Sequence, residues 1–216
     1  MHRSLLILLG LLTLAACNRH APSASQPQTA SRIGRVLPCC AQAAHPASAP
    51  LPDTSLYLLD SPWRDQANRP RALTDFRGHV TVMALIFTHC AYACPRILAD
   101  MRAIEAQTPP DDLADVRWLL ISMDSERDTP DVLAAYAQEN HLPSDRWTLL
   151  HGDAAAVRSV AAVLGVRYKQ DAQGNFSHSS LITVLDTDGR IAKQLEGLGV
   201  PTATGVQAIQ ACLRPQ

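Results

Sequence analysis

The segment FTHCAYACP (residues 87–95) places two cysteines, Cys90 and Cys94, with three residues between them. It follows a continuous apolar run and precedes a stretch with helical spacing, so the cysteines are expected at the start of a helix. Residues four apart lie on one helical face, which would bring the two sulfurs together. The free N–H groups of a helix N-terminus favour thiolate over thiol. Thiolate is the form that attacks disulfides and binds metal ions.

Three roles for such a pair differ in their chemistry. A structural disulfide one helical turn long would close a very short loop and would stabilise the fold little. Thioredoxin-like redox sites normally have two residues between the cysteines, and the three found here leave room for a metal ion. Two thiolates and an imidazole form a soft ligand set that suits copper in either oxidation state. A copper site of this kind needs a histidine as well.

His178 is the best-placed of the eight histidines for that third ligand. It immediately precedes a predicted strand, which in a thioredoxin fold passes beside the active-site helix where a thioredoxin carries a cis-proline. His89 adjoins Cys90, but neighbours on an extended segment point in opposite directions, so a shared ligand sphere is not expected. Position alone leaves it open whether His178 is a ligand.

The elements that must position these residues alternate between strand and helix patterns. The predicted strands are 55–59, 80–87, 116–123 and 147–150, the predicted hairpins 63–73 and 179–195, and the predicted helices 95–106, 129–140, 153–164 and 202–213. Thr129 and Pro130 are typical of a helix N-cap and first turn. This order predicts an α/β, thioredoxin-like three-layer sandwich with a central mixed sheet.

The N-terminus is typical of an exported protein. The apolar run of residues 5–14 is shorter than the ~20 residues that a membrane span needs. It ends in LAAC (residues 14–17), which resembles a bacterial lipobox. We therefore expect a lipoprotein signal peptide over 1–16, with Cys17 lipidated and the protein anchored on the periplasmic side of a bacterial membrane. An ordinary signal peptide cleaved nearby is the alternative, and the choice of inner or outer membrane stays open.

Residues 17–52 are rich in alanine, proline and serine and are predicted to form a flexible tether to a folded domain over 53–216. The net charge of −1 provides no basic patch, so nucleic-acid binding is not expected. Cys39 and Cys40 in the tether are candidate accessory thiols. They could form a vicinal disulfide, bind a second copper, exchange electrons with the main pair, or pair with Cys212. Cys212 itself is expected to pack in the core.

Three motifs together resemble the SCO/SenC family. They are FTHCAYACP (87–95), DSERDTP (124–130) and HSS (178–180), and they occur in the order and spacing of that family. The resemblance covers about residues 53–213. It implies a thioredoxin-like fold that binds copper, as Cu(I) or Cu(II), through Cys90, Cys94 and His178.

The resemblance also implies a function. A metallochaperone of this family would deliver copper to the binuclear copper centre of cytochrome c oxidase, or keep the cysteines of that centre reduced; another cuproprotein could take the place of the oxidase subunit. Without copper, Cys90 and Cys94 could form a redox disulfide. Asp124 could orient His178 from the second shell, or could simply cap the turn that follows it. A thiol–disulfide oxidoreductase without a copper role and a periplasmic copper buffer or sensor are the alternatives, so whether the protein is an enzyme stays open.

Overall fold

A computed structural model of the chain describes residues 50–171 and 176–214. These ranges belong to the second of two units into which the chain divides, which begins at Ala43. The predicted signal peptide and most of the predicted tether, with Cys17, Cys39 and Cys40, lie outside the described residues. Within the described ranges, no helix is both long and apolar enough to cross a membrane.

Strands and helices alternate through most of the described chain. The strands are β1 Trp63–Asp65, β2 Pro70–Arg71, β3 Val80–Ile86, β4 Val116–Ser122, β5 Trp147–Gly152, β6 Tyr168–Gln170, β7 Phe176–His178, β8 Leu181–Leu185 and β9 Ile191–Glu196. The helices are α1 Ala93–Gln107, α2 Pro110–Leu113, α3 Pro130–Glu139, α4 Ala154–Leu164 and α5 Thr202–Leu213.

Seven strands form one mixed sheet in the order β2-β1-β5-β4-β3-β8-β9. β3, β4 and β5 run parallel, whereas β1 and β8 pair antiparallel with the outer members of that group. Every residue of β3 is buried because the sheet is covered on both faces at its centre. β6 and β7 form a separate two-stranded ribbon. Because β3 and β4 run parallel, their carboxyl ends lie at the same end of the sheet. The segment that carries Cys90 and Cys94 begins there, after β3.

Helices cover the two faces of this sheet. α1 and α5 pack against each other on one face, so closely that a Cβ added at Gly205 would lie 2.6 Å from Ile104 Cδ1. α4 lies on the other face, where the Gln194 side chain of β9 donates to the carbonyl of Leu164 over 2.8 Å. The predicted three-layer α/β sandwich with a central mixed sheet is confirmed.

Local capping decides where the elements begin. The side chains of Thr129 and Asp153 accept hydrogen bonds from the N–H groups of the first turns of α3 and α4, and the cap at Thr129 was predicted. The predicted strand at 55–59 is wrong, because Ser55 Oγ accepts the N–H of Tyr57 and caps a short 3-10 helix over Leu56–Leu58. The sequence pattern also did not predict α2 or the β6–β7 ribbon.

The three tryptophans pack in the core. Trp118 and Trp147 stack with ring centroids 5.4 Å apart across neighbouring strands, and both are fully buried. The indole N–H of Trp147 donates to Glu105 of α1 over 3.0 Å. This contact ties α1, which carries one candidate ligand, to the centre of the sheet.

Candidate metal centre

The strand-to-helix turn places both cysteines at the start of α1. Cys94 is the second residue of the helix and is almost fully buried, whereas Cys90 lies in the preceding turn and stays partly accessible. The backbone N–H of Cys94 donates to Cys90 Sγ over 3.3 Å. The Cys90 sulfur therefore lies at the helix N-terminus, as the spacing of the two cysteines predicted.

His178 reaches the cysteines from the β6–β7 ribbon. It is the last residue of β7 and pairs with Tyr168 across the ribbon, so it sits on a strand rather than in a loop. Its Nε2 lies 3.8 Å from Cys94 Sγ. The Phe87 ring meets the His178 imidazole edge-on, with the ring centroids 5.9 Å apart. Phe87 also packs against Phe176, with the ring centroids 5.3 Å apart. These two rings fix the position of the imidazole on the apolar side of the site.

The three potential ligand atoms are spaced as a single metal ion would need. One sulfur from Cys90, one from Cys94 and one nitrogen from His178 all lie within 4.8 Å of one another. With metal–sulfur and metal–nitrogen bonds of ~2.3 and ~2.0 Å, a sulfur and a nitrogen bound at 120° would be ~3.7 Å apart. The observed separation of Cys94 Sγ and His178 Nε2 is 3.8 Å, close to that value. The donor set of two sulfurs and one imidazole suits copper.

A hydrogen bond to the backbone sets the tautomer of His178. Its Nδ1 lies 3.1 Å from the carbonyl oxygen of Ser179, which can only accept. The ring proton therefore sits on Nδ1, and the lone pair of Nε2 faces Cys94. Burial lowers the pKa of His178, so the imidazole stays neutral to a lower pH than an exposed histidine would. A neutral imidazole with a free Nε2 is the form that binds metal ions.

The two thiols differ in acidity. Burial alone would raise the pKa of Cys90, but hydrogen bonds from the backbone and side chain of Cys94 and from the N–H groups of Tyr92 and Ala93 outweigh it, so this pKa lies below its ordinary value. Burial raises the pKa of Cys94 well above its ordinary value, and negative charge on Cys90 adds to that effect. In the absence of metal, Cys90 is therefore the more acidic of the two thiols, and Cys94 keeps its proton to a higher pH.

Asp124 lies two residues beyond the end of β4, on the same edge of the sheet as the cysteines. Its carboxylate accepts the backbone N–H of Arg127 over 3.1 Å and also binds the Arg127 side chain. These are the contacts of a residue that caps the turn after β4. An orienting role toward His178 stays a prediction.

Asp128 connects the loop before the cysteines to the end of β4, a role that the sequence did not single out. It is fully buried, and its carboxylate accepts both the N–H and the hydroxyl of Thr88, over 2.9 and 2.5 Å. It also accepts the hydroxyl of Ser122 over 2.5 Å. Thr88 is two residues before Cys90, so this carboxylate holds the first ligand loop in place. The sequence signal was a polar residue at or just beyond the carboxyl end of each strand: Ser122 ends β4, and Thr88 lies two residues after β3.

A second group of potential ligand atoms, from His89, Asp124 and Asp128, also lies within 4.8 Å. Both carboxylates are already engaged, Asp124 by Arg127 and Asp128 by Thr88 and Ser122. Nδ1 of the exposed His89 ring lies 3.1 Å from Thr88 Oγ1 and 3.8 Å from Asp128 Oδ1. This group therefore supports the loops and is less suited to hold an ion than the sulfur-containing site.

Cys212 is a free thiol on α5, away from the other two described cysteines. Its side chain packs against the hydrophobic core but remains partly accessible from a surface groove between α5 and β9. The predicted core packing thus holds for only part of the side chain.

Comparison with known proteins relates this chain to one family. The family model described as SCO1/SenC matches residues 60–214, most of the chain. The chain belongs to the SCO1/SenC family. The similarity to that family predicted from the three sequence motifs is thereby confirmed.

Curated relatives carry the same family name. A "SCO1 protein homolog" of Bacillus subtilis is 26% identical over 142 residues, which cover 63% of this chain and 72% of the relative. A mitochondrial "Protein SCO2 homolog" of Bos taurus is 32% identical over 136 residues, 58% of this chain and 48% of the relative. The matched region thus spans about half the length of the mammalian relative.

Solved structures confirm the thioredoxin-like fold. A SCO1/SenC family lipoprotein from Bacillus anthracis aligns with a TM-score of 0.65 at 22% identity, over 71% of this chain and 92% of that one. Arabidopsis thaliana ScoI, solved with copper bound, aligns with a TM-score of 0.60 at 21% identity, over 71% of this chain and 96% of that one. Homologous proteins therefore include a lipoprotein and a copper-bound form.

Proposed function

We propose that this protein binds one copper ion through Cys90, Cys94 and His178 and delivers it to the binuclear copper site of cytochrome c oxidase. The observation that carries the proposal is the approach of these three donor atoms to within 4.8 Å in a member of the SCO1/SenC family. The copper-bound Arabidopsis homologue supports the choice of metal.

The site favours release as well as binding. Cys90 is already the more acidic thiol, so it binds first, and Cys94 must lose its proton to bind the same ion. His178 supplies a neutral nitrogen from a two-stranded ribbon that stands apart from the main sheet. During transfer the partner's thiolates replace these ligands one at a time. Copper keeps its oxidation state, and the freed Cys94 thiolate takes a proton from solvent, whereas the more acidic Cys90 takes one only at a lower pH.

Membrane attachment is part of the proposal. We place a lipid on Cys17 and the folded domain on the periplasmic side of a bacterial membrane, held by the tether over 17–52. The lipoprotein from Bacillus anthracis with the same fold is consistent with this arrangement. Two or more acyl chains anchor a protein stably, whereas one chain binds only marginally. Metabolic labelling with a fatty acid tests the anchor: the unaltered protein should incorporate the label and Cys17→Ser should not, and globomycin should cause a larger, uncleaved precursor to accumulate.

Anaerobic transfer to a purified acceptor tests the delivery role. The protein loaded with one equivalent of Cu(I) is mixed with the reduced, metal-free copper domain of the oxidase, and copper is measured on both after separation. We expect transfer from the unaltered protein and from Cys212→Ser, which removes a thiol outside the site. Cys90→Ser should carry little copper and therefore transfer little, whereas His178→Ala keeps both sulfurs and should bind Cu(I) less tightly. Retention of all copper by the unaltered protein would exclude delivery to this acceptor.

A second function, reduction of the acceptor's disulfide, is favoured by the unequal acidity of the two thiols. A low-pKa, partly accessible Cys90 next to a protonated Cys94 is the arrangement of an attacking and a resolving thiol. Cys90 would attack the partner's disulfide, and Cys94 would then close the Cys90–Cys94 disulfide as two partner thiols are released. His178→Ala separates the two functions, since it should weaken copper binding but leave disulfide exchange intact.

A further inference from the structure

We infer that Tyr92 and Arg96 form the docking surface for the copper-accepting partner. The partner is a protein domain that presents a carboxylate and a flat apolar rim beside its own metal-binding thiols. The inference rests on the proposed copper transfer and adds to it the residues that recognise the acceptor.

The position of Tyr92 is the first observation. It stands midway between Cys90 and Cys94 in the chain, and it is the most exposed large apolar side chain that the structure describes, at 71%. Its neighbours Ala91 and Pro95 are also exposed. An apolar surface left open to solvent beside a reactive site marks a contact with another molecule. Tyrosine is among the residues that most often anchor protein interfaces.

The second observation is an unpaired cation on the same surface. The Arg96 guanidinium lies 5.9 Å from the centroid of the Tyr92 ring, within the range of a cation–π contact. No ion pair found among residues 50–171 and 176–214 includes Arg96. By contrast, the nearby Arg127 binds the buried carboxylate of Asp124. Arg96 is thus left to pair with a carboxylate of a partner.

Transfer chemistry determines what covers this surface. A partner thiolate must come within bonding distance of an ion held by Cys90 and Cys94, and Cys94 is almost fully buried. The approach is therefore from the exposed side of Cys90, across the turn that carries Tyr92. A partner on this path touches the tyrosine ring and Arg96 before ligands exchange. Arginine pairs with carboxylate in a fixed fork geometry, which orients the partner.

Stopped-flow transfer rates test the docking surface in the full-length protein, solubilised in detergent and loaded with one equivalent of Cu(I). The acceptor is the metal-free, reduced copper domain of the oxidase, below saturation. We expect Tyr92→Ala and Arg96→Glu each to slow transfer ~10-fold, the loss typical of an interface anchor. The effect of Arg96→Glu should shrink in high salt, because salt screens exposed charges. Removal of copper by the small chelator bathocuproine disulfonate should proceed at an unchanged rate.

Matched variants away from the site control for general effects. Leu58→Ala removes a half-exposed apolar side chain, and Lys193→Glu reverses an exposed charge on the edge strand β9; neither should alter the transfer rate. Transfer by Tyr92→Ala and Arg96→Glu at the unaltered rate would overturn the inference, as would equal slowing of chelator extraction. Failure of the unaltered protein to transfer would overturn docking and delivery together, while a copper stoichiometry of one would still support the ligand site.

Discussion

Replacement of Asp128 tests how the fold holds the first ligand loop. The carboxylate is fully buried and accepts hydrogen bonds from the Thr88 N–H, the Thr88 hydroxyl and the Ser122 hydroxyl. Asp128→Ala leaves the Thr88 N–H and the buried Ser122 hydroxyl without this acceptor. Each unsatisfied donor costs ~1–3 kcal/mol of stability, and the loss is at the upper end because the lost acceptor is charged. We expect the free energy of unfolding to fall by ~3–5 kcal/mol.

Asp128→Asn should lower the free energy of unfolding by less than Asp128→Ala does. The amide keeps one oxygen for the Thr88 N–H and the Ser122 hydroxyl, and its NH₂ group can donate to the Thr88 hydroxyl, which is able to turn and accept. We expect a loss of ~1–2 kcal/mol, the value of exchanging charged for neutral hydrogen bonds. Because Thr88 lies two residues before Cys90, copper affinity should also fall ~10–100-fold in Asp128→Ala.

Urea denaturation of the reduced, copper-free protein, followed by the fluorescence of its buried tryptophans, measures both variants. With a slope of ~2 kcal/mol per molar urea, the alanine variant should shift the midpoint by ~1.5–2.5 M. Asp145→Ala, which removes a 74% exposed carboxylate, is the control and should change little. An unchanged midpoint in Asp128→Ala, or equal losses in the alanine and asparagine variants, would refute the account of this carboxylate.

Three further predictions concern the site and its support. Iodoacetamide should modify Cys90 well before Cys94, because the thiolate is the reactive form and the folded state lowers the pKa of Cys90. The midpoint of the pH dependence of Cys90 labelling should lie below the ordinary thiol pKa of 9.0. Equal labelling of the two cysteines in peptide mass spectrometry would contradict this prediction. His178→Ala should weaken Cu(I) binding at least ~10-fold, because one ligand is lost, and competition with a chelator would reveal an unchanged affinity if the assignment were wrong. Gly152→Ala should lower the free energy of unfolding by ~1–3 kcal/mol, because the added Cβ would lie 2.4 Å from the Trp63 ring. Thermal unfolding measures this loss. Metal analysis should still find one copper per chain.

Local signals predicted most of the fold. The apolar run of β3 and the caps at Thr129 and Asp153 have unambiguous patterns, and the corresponding elements form where expected. The strand predicted over 55–59 failed because a serine at its start offered the backbone a competing hydrogen bond. The β6–β7 ribbon has two mostly polar strands of three residues each, which pair with each other and form a sheet separate from the main one. No local pattern could predict it.

Local sequence signals predicted only part of the candidate site. The spacing of Cys90 and Cys94 predicted their meeting at a helix start, because residues four apart depend only on local geometry. His178 lies 84 positions from Cys94, and no local pattern brings them together; the family motif indicated it. Asp128 was missed as a support of the ligand loop because its partners come from two other segments of the chain.

X-ray absorption spectroscopy of the protein with one equivalent of Cu(I) tests the central claim most directly. The account predicts one copper per chain, coordinated by two sulfurs at ~2.2–2.3 Å and one imidazole nitrogen at ~2.0 Å. In His178→Ala the nitrogen shell should disappear while the two sulfurs remain. A copper with only sulfur ligands in the unaltered protein, or a nitrogen shell that survives His178→Ala, would contradict the assignment of Cys90, Cys94 and His178 as one copper site.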